Sequence, residues 1–414
     1  MSGPPPFPNV TVMAPNRWLI LLVLFLARTA MGFQFQSVAA VSPILVESLA
    51  LDFALLGTLI GVWMLPGVAV AIPGAVLARR FGDKNVVFCG LALMVLGSAL
   101  TASAETYAVA LTGRIVAGTG AALLNVLLAK MVADWFADRE LATAMSILVV
   151  SWPLGIGLAL VILGPLSLAT SWGLAIEVTA WVCVLALAGV ALIYRRPESA
   201  DKPNSTRHLS WHLPRPQLVL ACMAGLIWTF YNVAYIVVVS FAPVLLAEQG
   251  RNAANAAVVA SFATWPLIAT VPLGGVLADR TGRGHAIMIG CFVAMAAAMP
   301  LMLAAPSPLI MLAIIGIVAG PAAGVIMALP ARALAPESRN LGMGVFFTLY
   351  YLGMASLPGI AGWFRDLSGF RSAPLLFGSF LLVCAAVCAL VYRRLEPTVA
   401  REVPSCDITP PRSS

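Results

Sequence analysis

The chain reads as an all-α polytopic membrane protein of twelve transmembrane helices arranged as two parallel six-helix repeats. Three observations carry this reading. The 414 residues are 61% hydrophobic and only 10% charged, with a mean hydropathy of +0.97, whereas soluble domains carry about a quarter charged residues. The apolar residues gather in runs of about 20, the length of a spanning helix, and the ten-residue alternation of a transmembrane barrel is not visible. A shift of 200 residues lays one half of the sequence over the other at several places without gaps, the signature of a duplicated architecture.

The elements follow in order. Residues 1–16 are a Pro-rich polar tail, and the run 18–46 is too long and too interrupted by Arg28 for a cleaved signal peptide. The runs 54–78 and 85–104 flank a basic loop, 107–133 and 141–165 follow, and 171–194 ends at Arg195 and Arg196. Residues 195–216, polar and basic, form the longest connection and divide six helices from six, as a linker between halves does. The second series runs 217–247, 254–278, 285–305, 307–331, 341–363 and 373–392. The domains are therefore a tail (1–16), an N-terminal half (17–194), a linker (195–216), a C-terminal half (217–393) and a second tail (394–414).

Charge placement orients the chain. Of 24 Lys and Arg, Arg28 and Arg114 lie inside spans and Arg251, Arg365 and Arg371 fall on one set of loops, leaving nineteen on the other set and the tails. By the positive-inside rule both termini are cytoplasmic, in a multi-pass protein of the inner membrane. The net charge of +7 is thereby used for topology, and no nucleic-acid partner is expected. Six of the seven cysteines sit in apolar runs, so neither a disulfide framework nor a metal site is implied. No cofactor is expected, and the chain offers no nucleophile elbow or phosphate loop of an enzyme.

The repeat is densest around the second helix of each half. Pro66, Ala69, Gly74, Val76, Leu77, Ala78, Arg80 and Gly82 meet Pro266, Ala269, Gly274, Val276, Leu277, Ala278, Arg280 and Gly282. An even number of spans per repeat makes the halves parallel about an axis normal to the membrane, which favours a binding site at the midplane between them.

Gly74 to Lys84, with Arg79, Arg80, Gly82 and Asp83, and its copy Gly274 to Arg283, with Asp279, Arg280 and Gly282, resemble the loop signature of the major facilitator superfamily. Gly113-Arg114 with Gly118 and Gly120 resembles that superfamily's arginine motif in helix 4, and Trp135-Phe136 followed by Arg139 its usual exit from that helix. The resemblance covers essentially the whole chain. It implies the major facilitator fold of a secondary transporter, helices 1, 4, 7 and 10 lining a central cavity, and loop motifs that gate its inner side. In the N-terminal loop, Arg79 stands where the family has Asp and Asp83 where it has a base, so the inner lock is absent or remade there. The Arg28 segment, Trp152-Pro153 and Pro336 to Gly344 resemble the cyanate-permease-like branch of small-anion and organic-anion uptake proteins.

An ionisable side chain in hydrocarbon costs on the order of 2.5 to 3.5 kcal/mol on insertion scales, so each one marks a cavity or a pairing. Arg28 lies about 15 Å into the first helix, near the midplane, with Gly32, Phe35 and, more obliquely, Gln36 on its face. Arg114 enters helix 4 from the outer side, and Asn125 returns to nearly the same face at a deeper level. Guanidinium groups hold carboxylates bidentately and stay charged, so two facing one cavity predict an anion. The alternatives are an Arg114 that serves as a strut on backbone carbonyls and an Arg28 paired with a buried acid. Their repeat partners, Trp228 and Ile314, are uncharged, an asymmetry that marks a ligand's demand more than the fold's. Trp228, Tyr231, Asn232 and Tyr235 share one face of helix 7 as an aromatic wall. Glu177 in helix 6 is either a proton carrier or a carboxylate at the outer interface.

The expectation is a secondary active transporter taking up a small organic carboxylate or cyanate-like anion by alternating access. Its partners are that anion, the lipid bilayer and, in a symport mechanism, protons; anion exchange is the other coupling mode, and a monomer is expected. The rival expectation is a proton-coupled exporter of hydrophobic or toxic compounds.

Overall fold

The computed structural model describes residues 16–136, 140–195, 213–334 and 338–402. Among them are twelve helices long and apolar enough to cross a membrane. They are α1 (Arg17–Ala40), α2 (Phe53–Gly61 and Pro66–Phe81), α3 (Asp83–Ala102), α4 (Tyr107–Phe136), α5 (Leu141–Ala169) and α6 (Trp172–Ile193), then α7 (Arg215–Glu248), α8 (Ala253–Ser261 and Trp265–Thr281), α9 (Gly284–Leu301), α10 (Pro308–Ala333), α11 (Arg339–Ser368) and α12 (Ala373–Glu402). The expected helix order holds. Outward faces carry bare apolar side chains such as Leu185 and Leu192, a surface that only lipid tolerates on this scale.

The duplication extends to the irregularities. α2 is interrupted at Val62–Met64 by a 3-10 turn, and α8 breaks between Ser261 and Trp265. Pro66 and Pro266 sit in the first turn of each resumed helix, where a missing N–H is not needed. The two helices are also capped alike: the Asp52 side chain accepts from Leu55 N–H and the Asn252 side chain from Ala254 N–H. Both helices end at a glycine with positive φ, Gly82 at 85° and Gly282 at 64°, a conformation in which a Cβ is strained.

Packing repeats as well. α1 lies against α5 and α6, and α3 against α4 and α6; α7 lies against α11 and α12, and α9 against α10 and α12. The halves meet through α2 with α11 and through α5 with α8. These contacts concentrate at the end of the bundle away from the termini, the far end. There Gly57 and Gly61 of α2 sit directly on the carbonyls of Pro358 and Ala355 in α11. Gly164 of α5 packs on Ala257 of α8.

Phe53, the first residue of α2, is where the far end is fastened. The Asp366 carboxylate of α11 accepts from the N–H groups of Phe53 (3.1 Å) and Ala54 (2.8 Å), two of the donors that a helix start leaves unpaired. Arg365 lies 5.0 Å from the Phe53 ring centroid and binds Glu248 at the end of α7 at 3.3 Å. The ring's other neighbour is Phe241, stacked at 6.2 Å. The equivalent α5–α8 junction holds Leu166 at the position of Asp366, so the fastening is one-sided.

Asp366→Ala removes a cap supplied across the halves and costs about 1 kcal/mol. Hydrogen–deuterium exchange of the peptide spanning Phe53–Leu56 should speed up roughly fivefold, with peptides from α3 and α9 unchanged. Unchanged exchange at Phe53 and Ala54 would show that the carboxylate does not hold that junction.

Candidate functional site

A cavity of about 560 Å³ lies between the halves. Its walls come from α1, α2, α4 and α5 on one side and α7, α8, α10 and α11 on the other, so helices beyond the four expected contribute. The lining residues run from mid-membrane towards the end that carries the termini, where Ser146, Val149, Pro272 and Met327 are exposed. The far end beneath it is closed.

Arg28 is on the wall, half-buried. It makes no hydrogen bond or ion pair among the described residues, and its Nε is buried without a partner. Tyr350 and Tyr351 of α11 line the same cavity. Asn125 is on the wall too, and its amide donates to the Tyr351 hydroxyl at 3.0 Å, a bond that joins the two halves across the cavity. Trp228, Tyr231, Asn232 and Tyr235 line the opposite side as a set. The Tyr231 hydroxyl donates to Ala319 O and the Tyr235 hydroxyl to Thr264 Oγ1, each at 3.0 Å. Those bonds pin α7 to α10 and to the break in α8, leaving the rings as wall.

Arg114 is not on the wall, contrary to its expected role as an anion contact. The group is fully buried and donates to the carbonyls of Leu59 (3.1 Å), Gln34 (3.0 Å), Phe35 (3.0 Å) and Ile60 (3.3 Å). Leu59 and Ile60 close the first segment of α2, where the last carbonyls of a helix lack intrahelical donors. The arginine is thus a strut that satisfies the α2 break and ties it to α1. One turn on, Gly118 lets α4 close on that break: a Cβ there would lie 2.0 Å from Trp63 O.

Three further expectations on α1 are corrected. Gly32 packs on Trp152 O, so it belongs to the α1–α5 contact. Phe35 is buried behind the wall, edge-on to Trp63 at 5.2 Å and beside Trp152 at 5.5 Å. Gln36 is buried between halves at the closed end, donating to Val239 O at 3.2 Å. The shared helical face is real, but beyond Arg28 it passes under the two tryptophans. Glu177 is exposed on α6 and takes no part in the cavity wall.

Among the described residues, the loop motifs make no hydrogen bond or ion pair between the halves in this conformation. Asp83 pairs with Lys130 of its own half, and Lys84 donates to Ala191 O (2.8 Å) and Tyr194 O (2.9 Å) at the end of α6. Arg80 lies over Phe81 at 5.5 Å. Asp279, Arg280 and Arg283 are exposed. Gly82 is an open turn; the surroundings of Gly74, the Arg79 side chain and Arg139 lie outside what the structure describes. Gly274 packs on Pro321 of α10. No group of His, Cys, Asp or Glu among the described residues is arranged to hold a metal.

Sequence reasoning missed Trp63, Trp152, Phe347, Tyr350 and Tyr351, all on the wall. A usable signal existed. Their repeat partners are Ala263, Leu352, Ile147, Val150 and Ser151, the same asymmetry between halves that singles out Arg28.

Two linked six-helix halves around a central cavity, closed at one end, define a membrane transporter and not an enzyme. Residues 21–355 and 218–412 match the family model described as Major Facilitator Superfamily, and the chain belongs to that superfamily. It is similar to the 3-(3-hydroxy-phenyl)propionate transporter of Escherichia coli (strain K12), 28% identical over 249 residues that cover 58% of this chain and 59% of that one. It is similar to the 4-hydroxybenzoate transporter PcaK of Pseudomonas aeruginosa, 25% identical over 301 residues that cover 62% and 65%, and to an MFS-type transporter of Aspergillus terreus, 27% identical over 37% and 28%. The matched segments therefore span between a quarter and two thirds of these relatives. Among solved structures, a D-xylose-proton symporter superposes with a TM-score of 0.75 at 15% identity, covering 92% of this chain and 98% of that one, a likeness of fold. The relatives are diverse, including a hexuronate transporter, and do not single out the cyanate-permease-like branch.

The two arginines make opposite predictions for stability. Arg114→Leu strips four carbonyls of their donor, each loss costing about 1–3 kcal/mol, and folded yield should collapse. Arg28→Leu removes a buried charge without a partner, and the melting temperature of the ligand-free protein in detergent should stay or rise. Equal destabilisation by both would reveal a structural partner for Arg28.

Proposed function

We propose that the protein is a secondary active transporter that takes up a small organic carboxylate by alternating access, coupled to protons or to a counter-anion. The observation that carries this reading is Arg28, a permanent cation with no hydrogen bond or ion pair among the described residues, on the wall of the cavity between the halves. A guanidinium in that setting binds a carboxylate through charge-assisted, bidentate hydrogen bonds. Tyr350 and Tyr351 line the same cavity, and Asn125 reaches the Tyr351 hydroxyl.

The rest of the wall selects the body of the anion. Trp63, Trp152, Trp228 and Phe347 present apolar and aromatic surface around about 560 Å³, which suits an apolar or aromatic organic acid better than a triatomic cyanate. Two relatives named for hydroxylated aromatic acids agree with this choice. With both termini in the cytoplasm, the conformation is inward-facing: the cavity opens to the terminal end, while Asp366 and Arg365 hold the outer end at Phe53. The fixed positive charge argues against export of lipophilic cations.

Thermal melting of the purified protein tests the reading. Benzoate, 4-hydroxybenzoate and 3-phenylpropionate should raise the melting temperature through linkage to the folded state, while benzamide, which keeps the ring and lacks the charge, should not. Arg28→Ala should weaken the apparent affinity by about 10-fold or more, the worth of a hydrogen bond to a charged group. Anion stabilisation that survives Arg28→Ala, or stabilisation by benzamide equal to that by benzoate, would remove Arg28 from the site. Trp228→Ala should lower affinity for 3-phenylpropionate more than for acetate, and an equal loss would take Trp228 out of the wall that selects the substrate's body.

A further inference from the structure

The charge on Arg28 constrains how the empty protein can cycle. A guanidinium does not lose its proton under physiological conditions, so unlike a carboxylate, imidazole or amine it cannot become neutral by titration. Among the described residues lining the cavity there is no Asp, Glu or His. Tyr350 and Tyr351, on the wall of the same cavity, are phenols, which are uncharged at neutral pH. Its Nε is already buried without an acceptor while the cavity is open towards the terminal end.

Alternating access requires the terminal ends of the halves to close over this cavity before the far end opens. Trp63, Trp152, Trp228 and Phe347 line the cavity that Arg28 shares, and closing it reduces the water available to the guanidinium. An unpaired ion in such surroundings is strongly disfavoured, whereas an ion pair with its hydrogen bonds made is not. The loaded protein therefore crosses as a neutral pair, and the empty one crosses with a bare cation.

We infer that the protein is an obligate anion exchanger, in which the cargo carboxylate is the counter-charge that Arg28 needs to cross in either direction. This rests on the carboxylate reading above. Each cycle brings one monovalent carboxylate in and takes one monovalent anion out. No net charge moves and no proton is consumed, so the exchange needs no acid in the cavity.

The test uses the full-length protein in liposomes with radiolabelled 4-hydroxybenzoate outside at pH 8. One set of vesicles contains unlabelled 4-hydroxybenzoate and the other potassium sulfate. Exchange predicts at least tenfold faster entry into the carboxylate-loaded vesicles, unaffected by a protonophore or by a potassium–valinomycin potential. Equal entry into both sets, or accumulation in sulfate vesicles driven by an inward proton gradient, would overturn it while leaving the carboxylate site in place. Failure of 4-hydroxybenzoate and its two companions to shift the melt of the same preparation would instead overturn the carboxylate site and the exchange with it. Asn125→Asp provides the second arm, because it places a carboxylate at the Tyr351 hydroxyl, on the wall of the cavity that Arg28 also lines. With that built-in counter-charge the ratio between the two vesicle sets should fall towards one, and a ratio that stays at the wild-type value would refute the charge argument.

Discussion

The N-terminal half depends on one contact, the Arg114 guanidinium against the interrupted second helix. Breaking a helix inside a membrane exposes carbonyls that no water can reach, a cost that forbids such breaks unless a donor is supplied. Arg114 supplies it with four hydrogen bonds from one rigid fork and so fixes α1, α2 and α4 relative to one another. Gln34 extends the same joint, donating to Met94 O at 2.8 Å and accepting from Trp63 Nε1 at 3.3 Å. Trp63 and Arg28 reach the cavity from helices whose mutual position this joint sets.

The C-terminal half solves the same problem without a charge. Ile314 replaces Arg114, and the Val259, Ala260 and Ser261 carbonyls at the break accept from the N–H groups of Phe262, Ala263 and Thr264 in tight local turns. Two copies of one fold have thus diverged in how they close an identical gap. The copy that kept a buried arginine for structure also carries the arginine in the cavity. What separates the two side chains is the number of carbonyls within reach: four for Arg114 and none for Arg28.

This difference explains what was legible in the sequence. Run lengths located the helices, because hydrocarbon thickness dictates them, and the 200-residue repeat anticipated even the matched positions of Pro66 and Pro266. The helix 7 set reached the cavity as a group, since Trp228 to Tyr235 spans only two turns of an unbroken helix. Arg114 could not be assigned from spacing, because its partners are carbonyls that become available only where α2 breaks. Gly32, Phe35 and Gln36 share the right face but lie beyond the point where α1 passes under Trp63 and Trp152. Tyr350 and Tyr351 belong to α11, a helix outside the four expected to line the cavity, and their asymmetry with Val150 and Ser151 was the available clue.

The paired breaks in α2 and α8 also bear on how the molecule moves. Each divides a helix into a far segment, packed against α11 or α5 of the other half, and a terminal segment that flanks the cavity. A helix interrupted by a 3-10 turn or a proline bends there more readily than along its regular length. The terminal segments are therefore jointed arms on elbows at residues 62–64 and 262–264. Such arms can fold in over the cavity while the Phe53 fastening still holds, which would let one side seal by local bending and not only by rocking of rigid halves.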